Sequence, residues 1–433
     1  MITSTIGRIF LQAYNEEYGT NYDARSFFKE VFYPLFFEHD KYMMVGGNSP
    51  LENPKIKWDL MLQNKMPYET EERRKVRYSK FIEKIESNEV NDSVARGYAG
   101  QEAHKATSSQ VTNIKLPIQT DDVYLSWVGD ALGVGVKGGN VISFFNKRIL
   151  LDIFEGWKYY RQILNGTKKL KGNQVNTWNG QWLTHYYDKI EYDADNPIAD
   201  FYSYDINKEN GIMQLKTKSW TDVLINISEN FENAQIMGYI YKLSNSNMTI
   251  GFIPFDLTQI RKPNQFYQKI FGMKDGRKVN NLWGTEFGLM AACENGAIGI
   301  KAMEPQGLRD YIFGKKIPKA PKGEEQEISF KVYQIWILAM LKNEDLWKKS
   351  EKLASILKDA SVDKKKIHST KPQNLVDNVL KATNKKQFVN AMIDVVEYVP
   401  NKEEIKNVVK DITDMPGDNV PYFLTLVRFQ YVF

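Results

Sequence analysis

Val123, Leu125 and Trp127, and after them Val141, Ser143 and Phe145, alternate along the chain as strand residues do, and a glycine-rich run separates the two groups. After Asn146 the period lengthens to 3.6, with Ile149, Ile153, Trp157, Tyr160 and Leu164 on one face, so an amphipathic helix follows. Further back, Ile6, Ile9, Phe10 and Tyr14 share a helical face, as do Phe27, Val31, Phe32 and Leu35, and residues 1–40 read as helical core. The stretch from Met43 to Ile56 carries two glycines and two prolines and reads as an ordered series of turns. Glu71 to Glu86 is a charged helix with acids in its first turn, as the helix dipole favours, and residues 88–109 read as a polar loop.

Beyond the central helix, Lys168-Lys-Leu-Lys is a basic turn, and Trp178-Asn-Gly-Gln-Trp is expected to lead into a strand. Residues 198–205 and 212–218 read as a hairpin with its turn at Lys208-Glu-Asn-Gly, followed by a helix over 221–243 and a strand from Met248 to Phe255. From Ile328 strand signals nearly vanish. Helices are expected at 328–343, 344–359, 373–382, 385–397 and 401–412, separated by Pro372 and Pro400. The fold class expected is α+β: a helical and loop region over 1–120, a central α+β domain over 121–327, and an all-α bundle over 328–433.

Composition narrows the chemistry. The chain's 433 residues include one cysteine, Cys293, so no internal disulfide or thiolate zinc cluster forms, and the four histidines (His39, His104, His185, His368) have no metal-ligand spacing. No metal and no cofactor are expected. No run of eighteen apolar residues occurs, and the N-terminal twenty residues carry acids where a signal peptide needs an apolar stretch. The expectation is a cytoplasmic protein with no membrane partner. The net charge is only +5, but residues 331–433 hold 17 Lys and Arg against 13 Asp and Glu, which suits a polyanion as well as it suits a solvated surface.

Three stretches are candidates for contact with DNA. Gly133, Gly135, Gly138 and Gly139, with Lys137 and Asn140 among them, make a turn whose bare backbone can approach phosphate or base edge, the two side chains reaching phosphate oxygen and base respectively. The same spacing satisfies G-x-G-x-x-G, but a strand and not a helix follows the glycines, against a dinucleotide site, and a hairpin turn without ligand accounts for the same letters. Between Arg261 and Leu282, Lys262, Lys269, Arg277 and Lys278 lie among Phe266, Tyr267 and Phe271, a mixture that fits stacked bases and paired phosphates or a packed helix with a basic outer face. Lys364, Lys365 and Lys366 lie in a polar linker where flexible cations can follow a phosphate backbone.

An enzymatic alternative lies in the hairpin. Asp200, Gln214 and Lys216 follow the order and spacing of a PD-(D/E)xK nuclease, with Gln235 and Tyr239 mimicking a Q-x-x-x-Y on the next helix. Glutamine replaces the second carboxylate, leaving one certain anionic ligand for a hard cation.

Asn48-Ser-Pro-Leu-Glu-Asn-Pro-Lys-Ile ahead of the 71–86 helix, the glycine unit after residue 130, Asn179-Gly-Gln, and Leu341 to Leu357 entering a helical terminus recur in one order. Together they resemble the large subunit of type I CRISPR effector complexes (Cascade), particularly the type I-B form. Many relatives carry Cys-x-x-Cys pairs near the polar loop, whereas residues 92–101 have none here. The resemblance implies a non-catalytic protein that reads the protospacer-adjacent motif on double-stranded DNA, aids duplex opening and recruits a separate helicase-nuclease. Its implied partners are guide RNA, other Cascade subunits and displaced single-stranded DNA, with the long sequence read by base pairing.

Overall fold

In the computed structural model, which describes the chain except residues 47–48, 53–56, 88–93, 101–110, 115–117, 173–174, 190, 200–205, 243–247, 273–284, 295, 363–370 and 400, helices dominate and strands are few. The fold is α+β with a helical C-terminal region. Residues 1–257 with 293–297 form one unit and residues 258–292 with 298–433 another, so the N-terminal region and most of the central stretch fold together.

The first unit holds α1 (Ile2–Tyr18); α2 (Ala24–Phe27), which runs through a π-helical turn (Phe28–Phe32) into α3 (Tyr33–Phe37); α4 (Trp58–Leu62); α5 (Glu71–Glu86); α6 (Thr120–Ala131); α7 (Lys147–Gly166); α8 (Val175–Tyr186) and α9 (Trp220–Asn230). β1 (Val134–Val136), β2 (Asn140–Phe144), β5 (Gln235–Lys242) and β6 (Met248–Asp256) form an antiparallel sheet in the order β1-β2-β5-β6. β3 (Ile206–Glu209) and β4 (Ile212–Leu215) form a separate hairpin.

Three expectations fail here. Residues 121–127 are not a strand but part of α6. From Val123 to Ala131 every side of α6 is buried, so no 3.6-residue polar stripe survives to betray the helix. Asp121 and Asp122 in its first turn were the remaining helix signal. α6 crosses α1 backbone to backbone, because a β-carbon at Gly7 would stand 2.1 Å from the Leu125 carbonyl oxygen and one at Gly129 1.8 Å from that of Thr3. The Trp178-Asn-Gly-Gln-Trp stretch is likewise helical, within α8, and leads into no strand directly. Its inward-facing Asn176 and Asn179 blur the apolar period, for reasons given below. The expected 221–243 helix stops at Asn230, and Gln235 and Tyr239 lie on β5.

Elsewhere the periodicity holds. α7 buries Ile149, Ile153, Trp157, Tyr160 and Leu164, and Asn146 caps it by accepting a 3.1 Å bond from the Ile149 amide. Glu71–Glu86 is the charged helix as expected, begun by Thr70.

In the second unit α10 (Leu257–Phe271) is followed by long helices at Glu324–Leu341, Asp345–Val362, Pro372–Lys381, Lys385–Val395, Lys402–Asp414 and Val420–Val432. The last was not expected. It is apolar nearly all round, burying Phe423, Leu424, Leu426, Val427 and Phe429 against its neighbours, and so lacks an amphipathic stripe. Pro372 opens a helix at its first position, where a missing N–H costs nothing. No helix among the described residues is long and apolar enough to cross a membrane.

Candidate nucleic-acid interface

The C-terminus of α6 is where the first unit concentrates buried polarity. Its last carbonyls have no helical partner. Asn176 donates to the Asp130 and Gly133 carbonyls at 3.1 and 2.9 Å, and Asn179 to those of Ala131 and Gly133 at 2.7 and 2.8 Å. The Asn179 oxygen in turn accepts from the Trp157 indole at 3.0 Å. Two asparagines that look polar in sequence are therefore core residues of α8.

Gly133 and Gly135 serve the same packing. Both are buried, a β-carbon at Gly135 would lie 3.1 Å from the Asn176 backbone, and one at Gly180 would lie 2.7 Å from the Gly135 carbonyl oxygen. The exposed part of the glycine unit is only Lys137, Gly138 and Gly139, the turn of the β1–β2 hairpin, with φ of 90° at Gly138 and 74° at Gly139. Backbone contact with a nucleic acid is thus confined to that tip. Asn140 is buried and donates to the Lys137 carbonyl at 3.2 Å, so it does not reach out toward a base. Lys137 lies close enough to Asp222 to oppose the rise that burial gives that carboxyl's pKa.

One side chain from α6 organises a loop as well as the helix end. Asp130 accepts from the Arg96 guanidinium at 2.7 and 2.8 Å and from the Tyr241 hydroxyl at 3.1 Å. Burial alone would lower the pKa of Arg96, but Asp130 and Glu52 together outweigh it and hold it up. Burial, then Asp130, push the Tyr241 phenol well above its ordinary value. Glu52 accepts from the Val45 and Gly46 amides and, at 3.1 Å, from the Ser49 hydroxyl, so the turn-rich segment closes on its own carboxylate. Gly46 lies against Arg96, where a β-carbon would be 2.0 Å from a guanidinium nitrogen. Sequence reading missed this group, because Arg96, Asp130 and Tyr241 lie 34 and 111 residues apart and no local pattern joins them.

The closed loop adjoins a basic edge. Met44 accepts from the Val175 amide at 2.7 Å, and the preceding segment, read as a basic turn, pairs with β4: the Met213 amide donates to Lys169 and the Lys171 amide to Met213, each at 2.9 Å. Lys168 and Lys169 are exposed there, Lys208 on β3 and Lys216 just past β4, with Glu209 as the acid among them. None of these four lysines has an ion pair among the described residues, whereas Lys171 meets Asp59 at 3.1 Å. The sequence signal was present and the hairpin turn at Lys208-Glu-Asn-Gly was expected, with residues 200–205 of its expected first strand outside the described residues, but the pairing of residues 169–171 with β4 that gathers the lysines was not foreseeable.

Of the nuclease candidates, Gln214 and Lys216 are exposed two residues apart and Asp200 lies outside the described residues. The expected Q-x-x-x-Y is on a strand, not a helix. No cluster of three potential metal-ligating residues occurs among the described residues. In α10 the Lys262 ammonium sits 5.3 Å from the Phe266 ring centre, and Lys269 pairs with Glu344, so neither is a bare cation. Arg277, Lys278 and Lys364, Lys365 and Lys366 lie outside the described residues. Comparison of the chain with protein-family models, with curated proteins and with solved structures finds no match.

Proposed function

We propose that the chain is a non-catalytic nucleic-acid-recognition subunit of an RNA-guided interference complex of the type I CRISPR class. In this reading it engages DNA beside the protospacer-adjacent motif, while guide RNA, other subunits and a helicase-nuclease supply sequence reading and cleavage. One observation carries it: a loop closed by the buried Glu52 and Arg96 adjoins an edge of four exposed lysines, Lys168, Lys169, Lys208 and Lys216, around a small hairpin. Cations without an ion pair among the described residues, beside a loop whose carboxylate already holds backbone amides, suit phosphate positioning, since order gained only on binding costs affinity. The resemblance of the residues around Ser49 to Glu52 to the family's loop supports the same reading.

The test is purification from the host. Uniform RNAs of roughly 60 nucleotides, the ~20 bp heteroduplex plus handles, are expected to accompany the chain. Replacing the four lysines with alanine should flatten log K against log salt for target DNA by up to about 3 units while motif discrimination persists. Absence of RNA, together with Mg²⁺- or Mn²⁺-dependent cleavage abolished by Lys216→Ala, would instead establish a stand-alone nuclease using Asp200, Gln214 and Lys216.

A further inference from the structure

In the first unit, α5 and the π-helical turn border a cleft of about 310 Å³, the low end of the size range of small-molecule sites. It is lined by Arg25 of α2 and Lys29 of the π-helical turn, by Tyr78, Ile82 and Glu83 of α5, and by Tyr124 of α6. Three independent features mark it. Lys29 is exposed and has no ion pair among the described residues. It stands on a π-helical turn, a costly geometry that recurs at functional sites. The Tyr124 hydroxyl is buried with no hydrogen-bond partner among the described residues, although a buried hydroxyl normally finds one.

The charges on the wall select the ligand. Arg25 is already answered by Glu86 and Glu83 is the lining's own carboxylate, so Lys29 is the one lining cation with no ion pair among the described residues, which suits the single charge of a phosphodiester better than the doubly charged phosphate of a free nucleotide. Tyr78, already packed on Tyr33 at 3.9 Å between ring centres, and Ile82 supply an apolar wall for a base or sugar. Burial, then the nearby Glu86 carboxylate, raise the Tyr124 phenol to about 12, so it keeps its proton and can donate. Arg25 also meets Glu86, which fixes the guanidinium at the rim.

We propose that this cleft holds one nucleotide unit of a nucleic-acid strand, the phosphodiester on Lys29 and Arg25 and the Tyr124 hydroxyl donating to the base or sugar. The proposal rests on the nucleic-acid reading above and names a second contact for it, remote in sequence from the lysine edge.

Anisotropy of a fluorescent short single-stranded oligonucleotide, with the full chain, tests it. Tyr124→Phe is expected to weaken binding about fivefold without lowering the melting temperature, since it removes a hydroxyl that has no partner in the folded protein. Lys29→Ala should weaken binding and flatten the salt dependence by about 0.7 units, one phosphate contact on a single strand. AMP at millimolar concentration should displace little of the probe. Unchanged affinity in both folded variants overturns the proposal, as does AMP binding that both variants abolish while oligonucleotide binding is untouched. RNA co-purification with unaltered variant affinities would refute the cleft and leave the functional reading standing. Variant-sensitive oligonucleotide binding without any guide RNA would do the reverse.

Discussion

In the first unit Arg96 is buried against a carboxylate, its charge answered by Asp130 and Glu52, whereas in the second Arg428 is buried against neutral oxygens, donating to the carbonyls of Leu380, Tyr311 and Ala382 and to the Thr425 hydroxyl. Burial with no carboxylate lowers Arg428 to about 10, still protonated at neutral pH, while Arg96 is held above its ordinary value. The two arginines solve different problems. Arg428 completes the orphan carbonyls around the helix Pro372–Lys381, work that a helical bundle needs at its ends. Arg96 instead ties an irregular loop, a helix end and β5 to one point, as a surface built mostly of loop requires for shape. Charge is used where the backbone cannot supply its own order.

The comparison breaks most readily at Asp130. Asp130→Asn should cost about 3–5 kcal/mol in urea unfolding, because the guanidinium stays buried with its nearest counter-charge gone. Replacing the pair together, Arg96→Met with Asp130→Leu, should restore much of that loss. Equal destabilisation in the single and double variants would show that Arg96 is held by shape and not by charge. Arg428→Met should cost less, about 2–3 kcal/mol, since it strands carbonyls but no charge. Arg428→Lys should not rescue it, because one ammonium cannot span carbonyls that a planar fork reaches together.

The units also differ in how helices meet. The six long C-terminal helices contain no glycine, whereas α1 meets α6 through Gly7 and Gly129, α7 meets α8 through Gly156, and α8 meets β1 through Gly180. Gly129→Ala, with a β-carbon 1.8 Å from the Thr3 carbonyl oxygen, is expected to cost about 1–3 kcal/mol, read from thermal or urea unfolding. A neutral or stabilising result would mean that the crossing gives way and that the first unit is no more tightly specified than the second.

These same contacts explain what the sequence disclosed. Amphipathic elements with one wet face, such as α5 and α7, could be read from period alone, and so could β2 and β6. α6, α8 and the helix Val420–Val432 could not, because a helix buried all round, or one that turns asparagines inward, has no polar stripe. The glycines of 133–139 were visible but ambiguous. Close packing and ligand approach both need a missing side chain, and only the neighbour, Asn176 at Gly135, decides between them. The lysines of the basic edge were each visible, yet their meeting depends on residues 169–171 pairing with β4 across some forty residues.

The finest test concerns a third arginine, which brings the second unit's device into the first. Arg161 donates to the Leu35, Phe36 and Lys41 carbonyls at 2.9, 3.2 and 2.7 Å, and burial lowers it to about 10. With no carboxylate to answer it, its field reaches its neighbours. His39 is depressed to about 4, first by burial and then by Arg161, and Lys41 to about 8 for the same two reasons in the same order. The sign for His39 follows directly. Its folded value lies below the unfolded one near 6.5, so between those values the unfolded chain binds more protons, and stability present above pH 6.5 is lost as pH falls toward 4. The loss should be of order 1 kcal/mol once the ring's partial exposure is allowed for. His39→Gln should flatten that part of the pH profile and leave the rest. In an NMR titration Arg161→Met should move His39 only part of the way back, because burial, the larger cause, remains. A wild-type His39 that titrates near 6.5 would show that the carbonyl-held arginine is screened as fully as Arg96, and the contrast between the two ways of burying arginine would lose its electrostatic content.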